Sequence, residues 1–589
     1  MNMRWSLKEL YPDFESNEFK QDMEKCKNSI NEIKQWVSDN LQDRKDPKVK
    51  IEKYLNMTNS FSDLFSGLSN FAELTLSVEA KNETALIISD KLDQLSTELT
   101  EPNVIFQKWL SSLEDIEDVI NTSENISDHS FYIRENIKKS KYLLTDKEEI
   151  LMSKMKNTGS NAWSKLQELL TSTLLVEINI DGEDKQLPLP VVRNMAYDGK
   201  QEVRKTAYEA ELKSYKKIEE SSAASLNGIK GEVLTTSKMR GLKSPLEKTI
   251  IDSRMDENIL DAMLSAIKES LPSFHKFYRK KAELLGYKEG LPFYELFAPV
   301  GSADMQYSYD QAREFIVSNF KTFSGKLANF ADNAFEKKWI DAEIRDGKRG
   351  GAFCANLHSI KESRILANFT GSFNDVTTLA HELGHGYHGD QLKDETYLNS
   401  HYPMPLAETA SIFSETIVKN AAIKEAEHDQ ALYILENDLS DAGQVIVDIY
   451  SRFLFESKLF ELREEGYLSV NKLKEIMLEA QKTAYGNGLD HNYLHPYMWL
   501  NKPHYYYAGY NFYNFPYAFG LLFAKGLYVE YLNRGESFVE EYDKLLSATG
   551  KMDIIGVAKL MNIDVTSKDF WQNSLKLVEQ DIETFVNMK

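Results

Sequence analysis

Cysteine is nearly absent from this sequence: Cys26 and Cys354 are the only two in 589 residues. Two isolated thiols make neither a disulfide framework nor a thiolate metal cluster, and they suit a reducing cytoplasm. Long apolar runs are missing too. No stretch approaches the ~18 apolar residues of a membrane span, and the opening "MNMRWSLKELYPDF" mixes acids and bases where a signal peptide needs an apolar core. Basic residues are outnumbered, giving a formal net charge of -21. That balance argues against nucleic acid or an anionic membrane as partner, because both reward clustered Lys and Arg. There is no fixed-period repeat and no low-complexity tract. What is present has the composition of an ordinary soluble globular protein, too long for the ~250 to 300 residues over which one core keeps growing, so at least two lobes are expected.

Residues 1 to about 170 are helical in pattern. "FKQDMEKCKNSINEIKQWVSDNLQ" and "DKEEILMSKMKNTGSNAWSKLQELL" place apolar residues three and four apart among charges. The first departure is "LLVEINIDGEDKQLPLP", where Val176, Ile178 and Ile180 alternate with polar residues before an Asp181-Gly182 turn. This hairpin marks the expected boundary between an N-terminal helical lobe, 1–190, and a second domain, 191–589. Helical patterns then resume until "GKRGGAFCANLHSIKESRILANFTGSF", which reads as two short strands near 351–356 and 364–369. After Ser372 the chain is expected to stay helical. The fold class is therefore mostly α, with a small β-sheet beside the segment that follows.

That segment, "LAHELGHGYHGDQL", contains His381, Glu382, His385 and His388. Ser372 and Asp375 fit a capping box that starts a helix just upstream. On that helix His385 lies about 40° and His388 about -20° from His381, while Val376, Leu379, Leu383 and Tyr387 lie opposite. Imidazoles at i and i+4 can share one Zn²⁺, and Glu382, about 100° round, flanks them where a general base would stand. Taken alone, a five-residue pattern also fits a polar helix face. His388 is expected to support a ligand or touch substrate rather than bind metal.

A catalytic zinc needs a third protein ligand. In "HYPMPLAETASIFSETIVKN", Glu408 and Glu415 stand seven residues apart on one helix face, with Leu406, Ala410, Phe413 and Ile417 opposite. Small residues there would let this helix approach the first closely enough to bring Glu408 to the metal. Glu415 is then placed to hold a ligand imidazole by its other N–H. The plain alternative is a solvated helix acid.

The words "NFTGSFNDVTTLAHELGHGYH", "PLAETASIFSE" and "KPHYYYAGYNFYNFPYAFGLLF", in this order, resemble the oligoendopeptidase F branch of the thimet oligopeptidase family of zinc metallopeptidases. The resemblance implies one Zn²⁺ per chain held by His381, His385 and Glu408, with Glu382 as general base. It also gives His401 a family histidine position. It implies a two-lobed helical ellipsoid with a deep channel, cleaving short unstructured oligopeptides. Among six tyrosines between His504 and Tyr517, most read as core packing. The resemblance assigns transition-state donors to this segment: His504, Tyr510 and Tyr517, with Tyr513 behind them.

One further stretch, "GGAFCAN", opens with Gly350, Gly351 and Ala352, so an extended peptide could pair with its edge through main-chain hydrogen bonds. The leading expectation is a cytoplasmic zinc endopeptidase. The alternatives are a zinc exopeptidase with a closed channel and a helical peptide-binding protein without catalysis.

Overall fold

Helices arise here where apolar residues recur at three and four. The helix Asn17–Asn40 starts at Ser16, whose side chain accepts the Phe19 N–H, and buries Phe19, Met23, Cys26, Ile30, Ile33 and Val37 along one stripe. It packs on the 32-residue helix Pro47–Val78, and their core continues through Leu92, Phe106, Trp109 and Ile133. The computed structural model describes residues 2–301 and 305–588. Among these the structure is mostly α-helical with two small sheets. No helix among them is long and apolar enough to cross a membrane.

The chain forms two compact units, each assembled from three separate stretches. Unit 1 comprises Met1–Lys141, Met305–Ala421 and Glu530–Ile563; unit 2 comprises Tyr142–Asp304, Ala422–Val529 and Asp564–Lys589. The hairpin expected to end an N-terminal lobe near residue 190 lies instead inside unit 2. It exists as read, with β1 (Leu175–Ile180) antiparallel to β2 (Glu183–Pro188) and Asp181 and Gly182 both at positive φ in the turn. Yet Val176 and Ile178 are buried and β1 packs on the helix Gln201–Tyr215, so the hairpin is a covering element and not a linker.

In unit 1 the sheet has the order β3-β5-β4. The two strands read from the sequence are β4 (Phe353–Leu357) and β5 (Glu362–Leu366), antiparallel, joined by a 3₁₀ turn that ends at Lys361 in the left-handed region. The third, β3 (Ile340–Asp341), pairs parallel with β5. It escaped the sequence reading because two residues carry no alternation. In unit 2 the long helix Glu257–Leu284 runs beside Lys568–Asn587, with Phe277 and Phe585 rings 5.2 Å apart.

Candidate active site

The helix carrying His381 spans Phe373–Leu392 and begins as its sequence requires. Ser372 Oγ accepts the Asp375 N–H at 3.2 Å and Asp375 Oδ2 accepts the Ser372 N–H at 3.1 Å, the reciprocal capping box. Asp375 Oδ2 also accepts the N–H groups of Thr370 and Gly371, so three consecutive N–H donors converge at the helix start. Val376, Leu379 and Leu383 are wholly buried, and Tyr387 donates to Asp543 Oδ1 at 2.6 Å. The sheet packs on this helix through β4 and β5, with Asn356 Nδ2 donating to the His385 carbonyl at 3.3 Å.

Gly384 fixes the second element. A Cβ there would stand 2.4 Å from the Ala410 carbonyl oxygen and 2.6 Å from Ser411 Cα, so the helix Thr409–Glu425 touches the His-Glu helix backbone to backbone. Glu408 sits one residue ahead of that helix, at the break after the short helix Met404–Ala407. Its carbonyl accepts the Ile412 N–H at 3.2 Å, making it a helix cap where an interior position was expected.

The side chains converge. One donor atom each from His381, His385 and Glu408 lie within 4.8 Å of one another. His381 Nε2 is 3.2 Å and His385 Nε2 3.5 Å from Glu408 Oε2. Two donors about 2.0–2.1 Å from one tetrahedral zinc stand about 3.3 Å apart, so two imidazoles and a carboxylate at these separations fit that ion. His381 Nδ1 faces Glu415 Oε2 at 2.9 Å, and Glu415 Oε1 is 2.7 Å from Lys419 Nζ. One imidazole nitrogen is thus oriented by a carboxylate while the other points at the cluster.

The charges tell the same story. Burial disfavours a charged His381, but hydrogen bonds to Glu408 and Glu415 outweigh it and raise its pKa to about 10. Despite burial, His381 and His385 pull Glu408 down to about 2, and Lys419 and His381 hold Glu415 well below the carboxylate range. His385 falls to about 4 through burial and the neighbouring His381 charge. The pocket therefore favours a cation. Glu382 is 6% exposed, and burial pushes its pKa up to about 7. Its Oε2 makes no hydrogen bond to any described residue, leaving one buried carboxylate oxygen beside the ligand set free for chemistry.

The other expected residues divide. His388 is wholly buried, stacked on Tyr402 at 4.0 Å with Nε2 2.9 Å from Thr549 Oγ1. Its full burial beneath Tyr402 and beside Thr549 leaves His388 no surface for substrate, so it supports the helix packing. His401 is exposed, bonds the Tyr397 carbonyl through Nδ1, and lines a cavity of about 240 Å³ with Asn356, His358 and Tyr402. Gly351, at φ +81 with open space where a Cβ would go, and Ala352 lead into β4, an edge strand of its sheet. The tyrosines form their own cluster in unit 2: Tyr513 makes ring contacts with His504 at 5.3 Å, Tyr510 at 5.6 Å and Tyr517 at 5.9 Å. Tyr505 and Tyr506 are core, whereas Tyr510 is 64% exposed. His504 is held neutral, its pKa lowered to about 4 by burial and by the charges of Arg452 and Lys502.

Residues 194–577 match the family described as Peptidase family M3. The chain belongs to that family. A separate match to Oligopeptidase F over residues 111–175 gives its branch, that of the oligoendopeptidases F. Oligopeptidase PepF of Bacillus subtilis is 24% identical, over 98% of this chain and 86% of its own. A solved structure from Chlamydophila abortus superposes with a TM-score of 0.84 at 20% identity, covering 100% of this chain and 98% of that one. Oligoendopeptidase-F from Enterococcus faecium gives 0.71 at 18% identity, over 96% and 98%. These structures share the fold, and the mostly α class and the branch read from the sequence motifs both hold.

Three supports of this M3 site went unread in the sequence. Ser411 donates to Glu408 Oε2 at 2.7 Å, Lys419 pairs with Glu415, and Ser363 donates to Asn356, which in turn holds the His385 carbonyl. The i, i+4 spacing of Glu415 and Lys419 was a legible signal. For Asn356 and Ser363 none exists locally, since a β-pairing aligns them.

Proposed function

We propose that this M3 peptidase is a zinc-dependent endopeptidase that hydrolyses internal bonds of short unstructured oligopeptides. The observation that carries the reading is the His381, His385 and Glu408 donor set with the unbonded Glu382 Oε2 beside it. Bound by those three residues, zinc supplies a Lewis acid and lowers the pKa of a coordinated water to about 7. Glu382 takes the proton from the attacking water and delivers it to the leaving amine. His504, neutral at working pH, and the hydroxyls of Tyr510 and Tyr517 donate to the carbonyl oxygen as its charge develops, with Tyr513 packed behind them. The β4 edge, entered through Gly351 and Ala352, holds the substrate backbone by strand pairing. Two free cysteines, Cys26 and Cys354, suit work in the cytoplasm.

The test is a mass-spectrometric cleavage map of a mixed peptide library with and without a chelator. Internal cuts that vanish on chelation and return with zinc are expected. Cuts confined to chain ends would make it an exopeptidase, and chelator-insensitive cuts would remove the metal from the reaction.

Glu415 gives a finer check. Glu415→Gln removes the charge that orients His381, and metal affinity should fall about 10- to 100-fold. Competition with a chromophoric chelator reads this directly; unchanged affinity would leave Glu415 a bystander.

A further inference from the structure

Beneath the segment that carries Tyr510 lies a buried ion pair. Lys230, on the helix Glu219–Met239, and Glu456, on the helix Ile449–Glu465, are 0% and 1% exposed, with Nζ 2.7 Å from Oε1. Each makes a second bond, and both second bonds go to the same loop. Lys230 Nζ donates to Asn511 Oδ1 at 2.9 Å, and Glu456 Oε2 accepts the Phe512 N–H at 3.1 Å. Thr249 adds a third tie, its hydroxyl donating to the Asn511 carbonyl at 2.7 Å. Asn511 Nδ2 then closes the loop on itself at the Ala508 carbonyl, 3.3 Å away.

The loop needs holding. Phe512 has φ +52, a left-handed conformation that a bulky residue keeps only where its surroundings impose it. Its N–H is the one Glu456 grips. Tyr510, two residues earlier, projects from the loop and is mostly exposed. A buried ion pair is a poor source of stability, since apolar residues of similar volume often serve as well or better. Its value at this place is conformational: two charges fixed in the core specify where two successive loop residues lie.

We infer that Lys230 and Glu456 are positioning residues for catalysis, setting the backbone of 508–512 so that the Tyr510 hydroxyl meets the substrate carbonyl. This rests on the reading of Tyr510 as a transition-state donor. Neither residue touches substrate; each acts through Asn511 or Phe512.

The test uses the full-length zinc-loaded enzyme. Removing one charge alone strands its partner and invites unfolding, so the informative variant is Lys230→Met/Glu456→Leu, assayed well below its own Tm. Its kcat should fall at least about 10-fold with KM changed less than about 3-fold, the pattern of a lost transition-state contact. In a Tyr510→Phe background the same double change should cost at most about 2-fold more, because the hydroxyl it positions is already gone. Should the double variant not fold, Asn511→Leu, which keeps the ion pair and the Glu456 bond to Phe512 but cuts the Lys230 bond to the loop, must still lower kcat with KM little changed. A lowered Tm with wild-type kcat, or losses that simply multiply with Tyr510→Phe, overturns the positioning role. Wild-type kcat in Tyr510→Phe itself overturns the donor reading beneath it.

Discussion

Glu382→Gln should bind zinc with wild-type affinity and cleave peptide about 10²- to 10⁴-fold more slowly, the usual contribution of a positioned general base. The two outcomes separate because the structure separates the groups. Glu382 is absent from the donor set formed by His381, His385 and Glu408. Glutamine keeps the shape of a side chain that is 6% exposed, so packing is preserved. What is lost is proton affinity: burial raises the carboxylate to about 7, close to working pH, where a base both accepts and returns a proton well. Steady-state cleavage of a quenched peptide, paired with metal analysis of the purified variant, reads both quantities. Full activity would falsify the base assignment, and loss of the metal would show that Glu382 holds the site together.

Gly384→Ala should be nearly as damaging, without touching any ionisable group. The added methyl would meet the Ala410 carbonyl oxygen at 2.4 Å and Ser411 Cα at 2.6 Å, atoms of backbone that cannot rotate away. Relief requires the two helices to part, at a cost of about 1 to 3 kcal/mol for an overpacked core. Parting them draws Glu408 and its partner Ser411 away from the histidines, since both ride on the displaced segment. Expected are a lower Tm, weaker zinc binding in a chelator competition and a matching loss of activity. A variant with unchanged Tm and unchanged zinc affinity would mean that the approach of these helices does not set the site.

The His-Glu helix was legible because its determinants are local. Ser372 and Asp375 cap it, the apolar stripe repeats at the helical period, and both histidines and Glu382 take their bearings from one axis. The reading weakened wherever a distant segment decided. His388 shares the stripe of His381, yet it is removed from solvent by Tyr402 and by Thr549, 161 residues on. Glu408 was assigned to the right face but not to the cap position, which the break after Met404–Ala407 creates. For the hairpin, alternation reveals a buried strand face, and only the packing reveals which unit buries it.

The three-part make-up of unit 1 has a temporal side. The His-Glu helix is anchored by Tyr387 to Asp543 and by His388 to Thr549, both in the stretch Glu530–Ile563, 156 and 161 residues further along the chain. During synthesis His381, His385 and Glu408 are therefore made long before the residues that lock the His-Glu helix. Placing these clamps so far downstream means that the His-Glu helix gains its packing partners only once Asp543 and Thr549 have been made.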